Sequence, residues 1–376
     1  MTGRSAIVGL AALAAVVALA ACSTGLSSGS KATASKAPNV DVYLMLDTSP
    51  SMEIEGTSAG MAALRAATPN EMGCAFGCHE SDPTELTAIR SPGAAAIGCQ
   101  ARGVYADGTA FDAGSKFPST GRDLYDLSRC LGAPLRIDLV REAVRDLVNT
   151  AAQSERIDGG HYRMALYEND SNQGDPAADL ALFPLQPLTG DLATARRAAA
   201  EIAPLEVYRN NLLVKGDFND DMDTFLDADI SAMNGLIPAP GSGADSPDQM
   251  PRGVLFIVTD GLNDQTPRRT YSPMDWSGVN CAAVKKRGVR IAVLYTTYEP
   301  GNDPWYLYQV APRLPKGLPP GLPPSTPVGS DPMALAARQC ASPGLYEQVG
   351  TNGDISAEMR TLFERAIQTA GLTAQR

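Results

Sequence analysis

The chain has 376 residues, with 42 acidic and 31 basic side chains, a formal net charge of −11 and only two histidines. The acidic balance argues against a nucleic-acid-binding protein, because basic side chains are needed to hold a phosphate backbone. The histidines, His79 and His161, argue against a histidine-rich zinc site and restrict histidine-based catalysis to two positions. A hydrophobic content of 44% is typical of a globular protein with a large core.

The beginning of the chain carries an export signal. Residues 7–21 are an almost purely apolar run after Arg4, a pattern typical of a signal peptide and shorter than the roughly 20 residues that a spanning helix prefers. The sequence Leu-Ala-Ala-Cys22 resembles the bacterial lipobox. This resemblance implies a lipoprotein signal peptide over residues 1–21 and a lipid, palmitate included, on Cys22. We therefore expect a protein anchored in the bacterial cell envelope, with Ser23 indicating the outer membrane. An uncleaved membrane anchor is the alternative.

The segment after Cys22 leads into the folded domain, which is expected over residues 39–370. Residues 22–38 are rich in Ser, Ala, Thr and Lys and lack apolar periodicity, which predicts a flexible tether. A nearly continuous apolar run at 40–46 is typical of a buried strand in a parallel sheet. Residues 53–134 have many Gly and Pro and weak periodicity, which predicts a loop-rich insertion held by disulfides.

The cysteines agree with export. If Cys22 carries lipid, six remain, an even number that favours three disulfides in an exported protein. These six are Cys74, Cys78, Cys99, Cys130, Cys281 and Cys340. Since four lie close together and two lie far downstream, we expect Cys281 to pair with Cys340 and two bridges to form within the first group. Covalent haem and zinc at Cys74, Cys78 and His79 are alternatives to those bridges.

The rest of the chain alternates between two patterns. Helices are predicted at residues 136–153, 191–202, 223–234, 276–286, 333–339 and 355–367, and in the first and last of these apolar residues recur on one face at helical spacing. Short apolar runs predict strands at residues 162–167, 180–185, 253–259, 289–295 and 345–349. The alternation predicts an α/β fold: a doubly wound, mostly parallel sheet with helices on both faces. Residues 299–332 are Pro-rich and are interpreted as a stiff surface loop, with polyproline recognition as the alternative.

Two of the predicted strands end in an aspartate, Asp47 and Asp260. Ligands of doubly wound sheets bind at the carboxyl ends of strands, and Ser49 and Ser51 follow Asp47 at alternating positions. Carboxylate and hydroxyl oxygens without His or Cys suit Mg²⁺ or Mn²⁺. The alternative for Asp47, Ser49 and Ser51 is a turn with a helix cap, since Asp and Ser favour both.

The D-x-S-x-S pattern at 47–51 and the later strand ending in T-D-G at 259–261 resemble a von Willebrand factor type A (VWA) domain with a metal-ion-dependent adhesion site. The resemblance implies that two serines, a threonine and two aspartates hold the ion, and that a carboxylate of a partner protein completes its coordination. Carried over by position, the ligands are Asp47, Ser49, Ser51 and Asp260. Pro50 departs from the family, which most often has Gly there, and the insertion separates the motif from its helix.

The resemblance places the threonine ligand of the metal site in the acidic stretch before residue 225. We choose Thr224, with Asp221 and Asp223 as alternatives. The same stretch has the alternating acidic spacing of an EF-hand loop over 217–228. It lacks the Gly at the sixth position and the Glu at the twelfth that such a loop requires.

A narrower resemblance covers the phrases VDVYLMLDTSPSM, NEMGCAFGCHE and RIAVLYTTY, which are similar to tight-adherence (Flp) pilus-assembly proteins of the TadG type. It implies a membrane-anchored VWA protein that binds a partner, in pilus assembly or surface adhesion. A structural envelope protein with a vestigial metal site, whose cysteine-rich insertion makes the contacts, is one alternative. A hydrolase is another, but it would need His79 or His161 as its base, and the phosphate-binding loop and G-x-G-x-x-G after a strand are missing from the sequence. We therefore expect no enzyme.

Overall fold

The computed structural model describes residues 38–67, 128, 131–169, 182–202, 224–244, 249–265, 270–298, 306–326 and 331–368. The expected signal peptide, Cys22, nearly all of the tether and the cysteines at 74, 78, 99 and 130 lie outside these residues, as do Asp221 and Asp223. The limits of the domain stay predictions. Within the described part of the chain, no helix combines the length and the apolar character needed to cross a bilayer.

Eight strands are present in the described residues. In chain order they are β1 (Val40–Leu46), β2 (Tyr162–Asn169), β3 (Leu182–Thr189), β4 (Arg252–Thr259), β5 (Leu262–Gln265), β6 (Thr270–Pro273), β7 (Arg290–Thr296) and β8 (Tyr346–Val349). Six form one sheet in the order β3-β2-β1-β4-β7-β8. Only the pair β2–β3 is antiparallel in this sheet. The predicted α/β class with a mostly parallel sheet is therefore confirmed.

The direction in which successive strands are added to the sheet reverses at its centre. From β1 the chain adds β2 and β3 on one side, then returns to place β4 on the other side of β1. The order thus reverses between β1 and β4, whose register pairs Leu46 with Val258. In doubly wound sheets this reversal opens a crevice at the carboxyl ends of the two strands.

Helices cover both faces of the sheet. They are α1 (Ser58–Ala67), α2 (Arg136–Asp158), α3 (Leu192–Ala199), α4 (Leu226–Leu236), α5 (Val279–Lys286), α6 (Pro332–Cys340) and α7 (Ile355–Gln368). Because side chains alternate along a strand, β1 contributes to two cores. Val42 and Leu44 pack with α2, α3 and α7, whereas Tyr43 and Met45 pack with α4, α5 and α6.

Local signals explain several helix boundaries. The carboxylate of Asp191 accepts hydrogen bonds from the N–H groups of Ala193 and Thr194, and so begins α3. Helix α2 ends just before Gly159, which has a φ of 70°, a left-handed conformation that favours glycine. Helix α5 begins at Val279, three residues later than expected, because Asp275 forms a turn there and its carboxylate accepts from the N–H of Cys281 at 2.7 Å.

Three elements differ from the sequence prediction. Helix α1 lies inside the stretch expected to be loop-rich, and its many alanines favour a helix there. Strand β3 runs from Leu182 to Thr189 and lies at the sheet edge, where its two prolines need not donate to a ladder. The hairpin of β5 and β6 was not predicted, since its short strands are largely polar.

Cys281 of α5 and Cys340 of α6 form a disulfide, as the sequence predicts. The bridge joins two helices of the same face, and both cysteines are buried.

Candidate metal centre

The two strand-end aspartates meet at the crevice between β1 and β4. The N–H of Asp47 continues the strand pairing by donating to the carbonyl O of Val258 at 2.8 Å. Asp47 is 1% exposed and Asp260 is 0% exposed. Two carboxylates are thus buried side by side at the reversal of the strand order, where each needs hydrogen bonds, a proton or a cation.

The loop after Asp47 turns both serines toward the aspartates. Ser49 donates to Asp47 Oδ1 through its N–H at 3.0 Å and its hydroxyl at 2.5 Å. The hydroxyls of Ser49 and Ser51 lie 3.0 Å apart, and Ser51 also hydrogen-bonds to Asp260. Pro50 begins a short 3₁₀ turn over Pro50–Glu53, for which its fixed φ is suited. The turn that was the alternative to a metal site is therefore present, and it brings the oxygens together.

We call Asp47, Ser49, Ser51 and Asp260 the oxygen centre. Burial and, next, the charge of Asp47 raise the pKa of Asp260 to about 7, although the hydrogen bond with Ser51 and the Arg136 guanidinium act to lower it. Burial also raises the pKa of Asp47, against the hydrogen bonds from Ser49 and Thr259. Two adjacent buried carboxylates resist being ionised together unless a positive charge lies between them.

The donor set fits a hard divalent cation. Asp260 Oδ2 is buried and has no hydrogen-bond partner among the described residues, so it is an open acceptor at the oxygen centre. The described residues contain no cluster of three His, Cys, Asp or Glu side chains arranged for a metal. A cation here therefore depends on the serine hydroxyls beside the two carboxylates, a combination suited to Mg²⁺ or Mn²⁺.

Thr224, the fifth predicted ligand, lies beside the hairpin that follows Asp260. Its N–H donates to the carbonyl O of Asp264 at 2.8 Å, and the N–H of Asp264 returns a bond at 3.2 Å. Among the described residues, no hydrogen bond joins the Thr224 hydroxyl to the oxygen centre. The structure therefore brings together four of the five predicted ligands and places the fifth two residues before α4.

Two side chains that hold Asp47 were not predicted. Thr259, the last residue of β4, donates its hydroxyl to Asp47 Oδ2 at 2.6 Å. Asn169, the last residue of β2, donates its amide to Asp47 Oδ1 at 3.3 Å. Both residues are polar and stand at the ends of strands. This pattern identifies them as neighbours of Asp47 only when the strands that flank β1 are known.

The remaining sequence candidates lie away from this centre or outside the described residues. His161 is exposed and precedes β2, at the opposite end of the sheet from Asp47, because its carbonyl O accepts from the N–H of Val40 at the start of β1. His79 and residues 217–223 of the EF-hand-like stretch lie outside the described residues.

Comparison with known proteins gives matches of structure alone. No family model matches the chain, and no curated protein matches it. The chain is similar to the conserved hypothetical protein BatB from Bacteroides thetaiotaomicron, with a TM-score of 0.40 and 11% identity over 88% of this chain and 99% of that chain. It is also similar to the vWF domain of the type V pili tip protein Mfa5 from Porphyromonas gingivalis (TM-score 0.40, 10% identity, 90% and 97% covered).

A third similar structure is proximal thread matrix protein 1 from the mussel byssus with a zinc-occupied MIDAS motif (TM-score 0.38, 9% identity, 89% and 49% covered). These similarities are distant. The fold class rests on the strand order and register of the chain itself.

Proposed function

We propose that the chain is a VWA-type binding protein that captures a carboxylate of a partner protein through a divalent cation, Mg²⁺ or Mn²⁺, at the oxygen centre. The observation that carries this proposal is the convergence of four oxygen side chains at the reversal of the strand order, with Asp260 Oδ2 buried and open. The residues before α4, with Thr224 as our choice, complete the ligand set.

Each residue has a distinct part in this proposal. Ser49, Ser51 and Asp260 present oxygens to the cation, while Asp47 orients Ser49 through two hydrogen bonds. Both oxygens of Asp47 already accept hydrogen bonds, so Asp47 contributes mainly charge. The two carboxylates would balance the charge of a bound divalent cation, but Asp260 and the serine hydroxyls would fill only part of its roughly six coordination positions, which leaves room for a carboxylate of the partner.

We infer the setting of this activity from sequence features near the beginning of the chain. The lipobox resemblance at Cys22 and the tether after it support a lipid-anchored protein of the bacterial envelope, with the outer membrane as its site. The phrases similar to TadG-type proteins support a role in Flp pilus assembly or surface adhesion. Of the two histidines that a hydrolase could use, His161 lies at the opposite end of the sheet from the oxygen centre, which supports a binding role at that centre.

A double variant, Ser49→Ala with Ser51→Ala, tests the proposal. Mg²⁺ at a hundred times its Kd should raise the free energy of unfolding of the wild-type chain by about 2.7 kcal/mol, and this gain should vanish in the variant. Mg²⁺-dependent capture of partners from solubilised envelope should vanish with it. The control is Ser242→Ala with Ser277→Ala, which removes two exposed hydroxyls from other loops. Equal partner capture in excess EDTA would exclude the metal-dependent function.

One observation favours the alternative in which the insertion makes the contacts. The chain leaves toward the insertion and returns from it beside the oxygen centre, since Ile54–Gly56 pair with Pro134–Arg136. In that case deletion of the insertion abolishes partner capture, and EDTA has no effect.

A further inference from the structure

Asn169 occupies a buried position against both Asp47 and Thr48. It is 3% exposed, and Thr48 is 0% exposed. Asn169 Oδ1 accepts from the N–H of Thr48 at 2.6 Å and from its hydroxyl at 2.8 Å. Asn169 Nδ2 faces Asp47 Oδ1 at 3.3 Å. The side chain therefore joins the end of β2 to the loop that carries the serines.

The orientation of this amide is fixed by its partners. The backbone N–H of Thr48 can only donate, so the oxygen of the amide must face it. The NH₂ group is then directed at Asp47, where it supports the carboxylate without adding charge. An aspartate has nearly the same shape, and it would keep the acceptor toward Thr48 while placing a carboxylate oxygen where Nδ2 lies.

We propose that Asn169 sets the charge of the oxygen centre. As a neutral donor it holds Asp47 in place and leaves this side of the centre without a further carboxylate. A bound divalent cation is then balanced by two carboxylates, and the centre does not acquire the net negative charge that would repel a partner's carboxylate. This inference rests on the proposed function and identifies the residue that makes the cation available to a partner rather than neutralising it within the chain.

The replacement of Asn169 by Asp or by Ala separates this role from a purely structural one. Asn169→Asp should bind Mg²⁺ at least about tenfold more tightly than the wild type, because an added negative charge within a few ångströms attracts the cation strongly. Asn169→Ala should bind it about tenfold more weakly, the usual effect of losing a side chain that orients a ligand. A purely structural residue would weaken Mg²⁺ binding in both variants.

The measurement is Mg²⁺ affinity by calorimetry on the full chain, with the metal alone as the probe, and thermal unfolding in Mg²⁺ and in EDTA. Asn149, exposed on α2, provides matched controls: Asn149→Asp and Asn149→Ala should behave as wild type. Asn169→Asp should also lose more stability in EDTA than Asn169→Ala does, because its added charge is buried beside Asp47.

Each outcome decides the proposal. If Asn169→Asp binds Mg²⁺ no more tightly than the wild type, or unfolds in Mg²⁺ and EDTA alike, the proposal is overturned. If the wild type binds no Mg²⁺, the proposed function fails. The inference is then decided by Asn169→Asp alone. New Mg²⁺ binding in this variant supports a charge-setting role for Asn169, and its absence overturns that role.

Discussion

At the scale of single residues, the environment of Asp47 explains how a carboxylate is kept in the interior. Each of its oxygens accepts from a neutral side chain at the end of a neighbouring strand, Asn169 on β2 and Thr259 on β4. Hydrogen bonds to a charged acceptor are stronger than those between neutral groups. Within the described part of the chain, Asp260 lacks such a donor at Oδ2, which makes it the member of the pair with an oxygen left for a ligand.

Glu55 presents the contrasting case of a buried carboxyl outside the oxygen centre. It is 0% exposed, and neither of its oxygens has a hydrogen-bond partner among the described residues. Burial, and then the charge of Asp138, raises its pKa to about 8 from an ordinary value of 4.5. The folded chain therefore holds a proton on Glu55 at neutral pH.

This proton makes the stability of the chain depend on pH. The contribution of protonated Glu55 is fully present below about pH 4.5 and is lost as the pH rises toward about 8, because the unfolded chain releases the proton first. Glu55→Gln should remove this dependence. The free energy of unfolding of Glu55→Gln, relative to the wild type, should rise by a few kcal/mol from pH 5 to pH 8, at about 1.4 kcal/mol per pKa unit.

Urea unfolding of both chains at several pH values measures this difference. Glu364→Gln, an exposed position on α7, is the control and should track the wild type. A constant difference between Glu55→Gln and the wild type over this range would show that Glu55 is ionised in the folded chain.

At the scale of elements, the turn from β4 to β5 depends on one glycine. Gly261 has a φ of +79°, and a Cβ there would lie 3.1 Å from the Cβ of Met333, in the first turn of α6. The turn after Asp260 is therefore packed directly against a helix. The conformation and the space both require glycine at this position.

Gly261→Ala should destabilise the chain by about 2–4 kcal/mol, from left-handed strain of about 1–2 kcal/mol and from overpacking against Met333. Gly317 is a matched control, because its φ is +93° and no atom of a described residue lies within 4 Å of a Cβ there. Gly317→Ala should show the strain alone. Urea unfolding measures both, and equal losses would contradict close packing of α6 on this turn.

The sequence patterns predicted the elements that have long apolar runs. They failed for features that depend on which strands lie next to each other in the sheet. Strands β1, β2, β4 and β7 are buried, and their apolar runs are visible without the fold. Strand β3 carries two prolines that are tolerated only because it lies at the edge. The positions of Asn169 and Thr259 beside Asp47 depend on which strands flank β1, and no local pattern carries that information.

At the scale of the whole molecule, the oxygen centre is a consequence of topology. The chain reverses its direction of strand addition between β1 and β4, and the aspartates follow those two strands directly. The sequence could predict this meeting because both strands are visible as apolar runs ending in Asp. It could not decide whether Thr224 joins them, because the stretch before α4 lacks periodicity.

The insertion leaves this sheet through a short paired segment, the neck, formed by residues 54–56 and 134–136. The N–H of Gly56 donates to Pro134, and the N–H of Arg136 donates to Ile54, each at 2.9 Å. Every strand of the main sheet lies outside the insertion. The neck therefore holds the two ends of the insertion together within the described part of the domain.

Replacement of residues 68–127 by about a dozen Gly and Ser residues, which span roughly 17–21 Å, combined with Cys130→Ser so that Cys130 is not left without its expected partner, should leave cooperative unfolding and Mg²⁺ affinity unchanged. If the oxygen centre binds the partner, capture from solubilised envelope persists in this variant and disappears in EDTA. If the insertion makes the contacts, capture disappears in the variant, and EDTA does not affect the wild type. Loss of cooperative unfolding would instead show that the insertion belongs to the folded core. Comparison of the wild type and the variant, each with and without EDTA, thus separates adhesion through a cation from contact through the cysteine-rich segment.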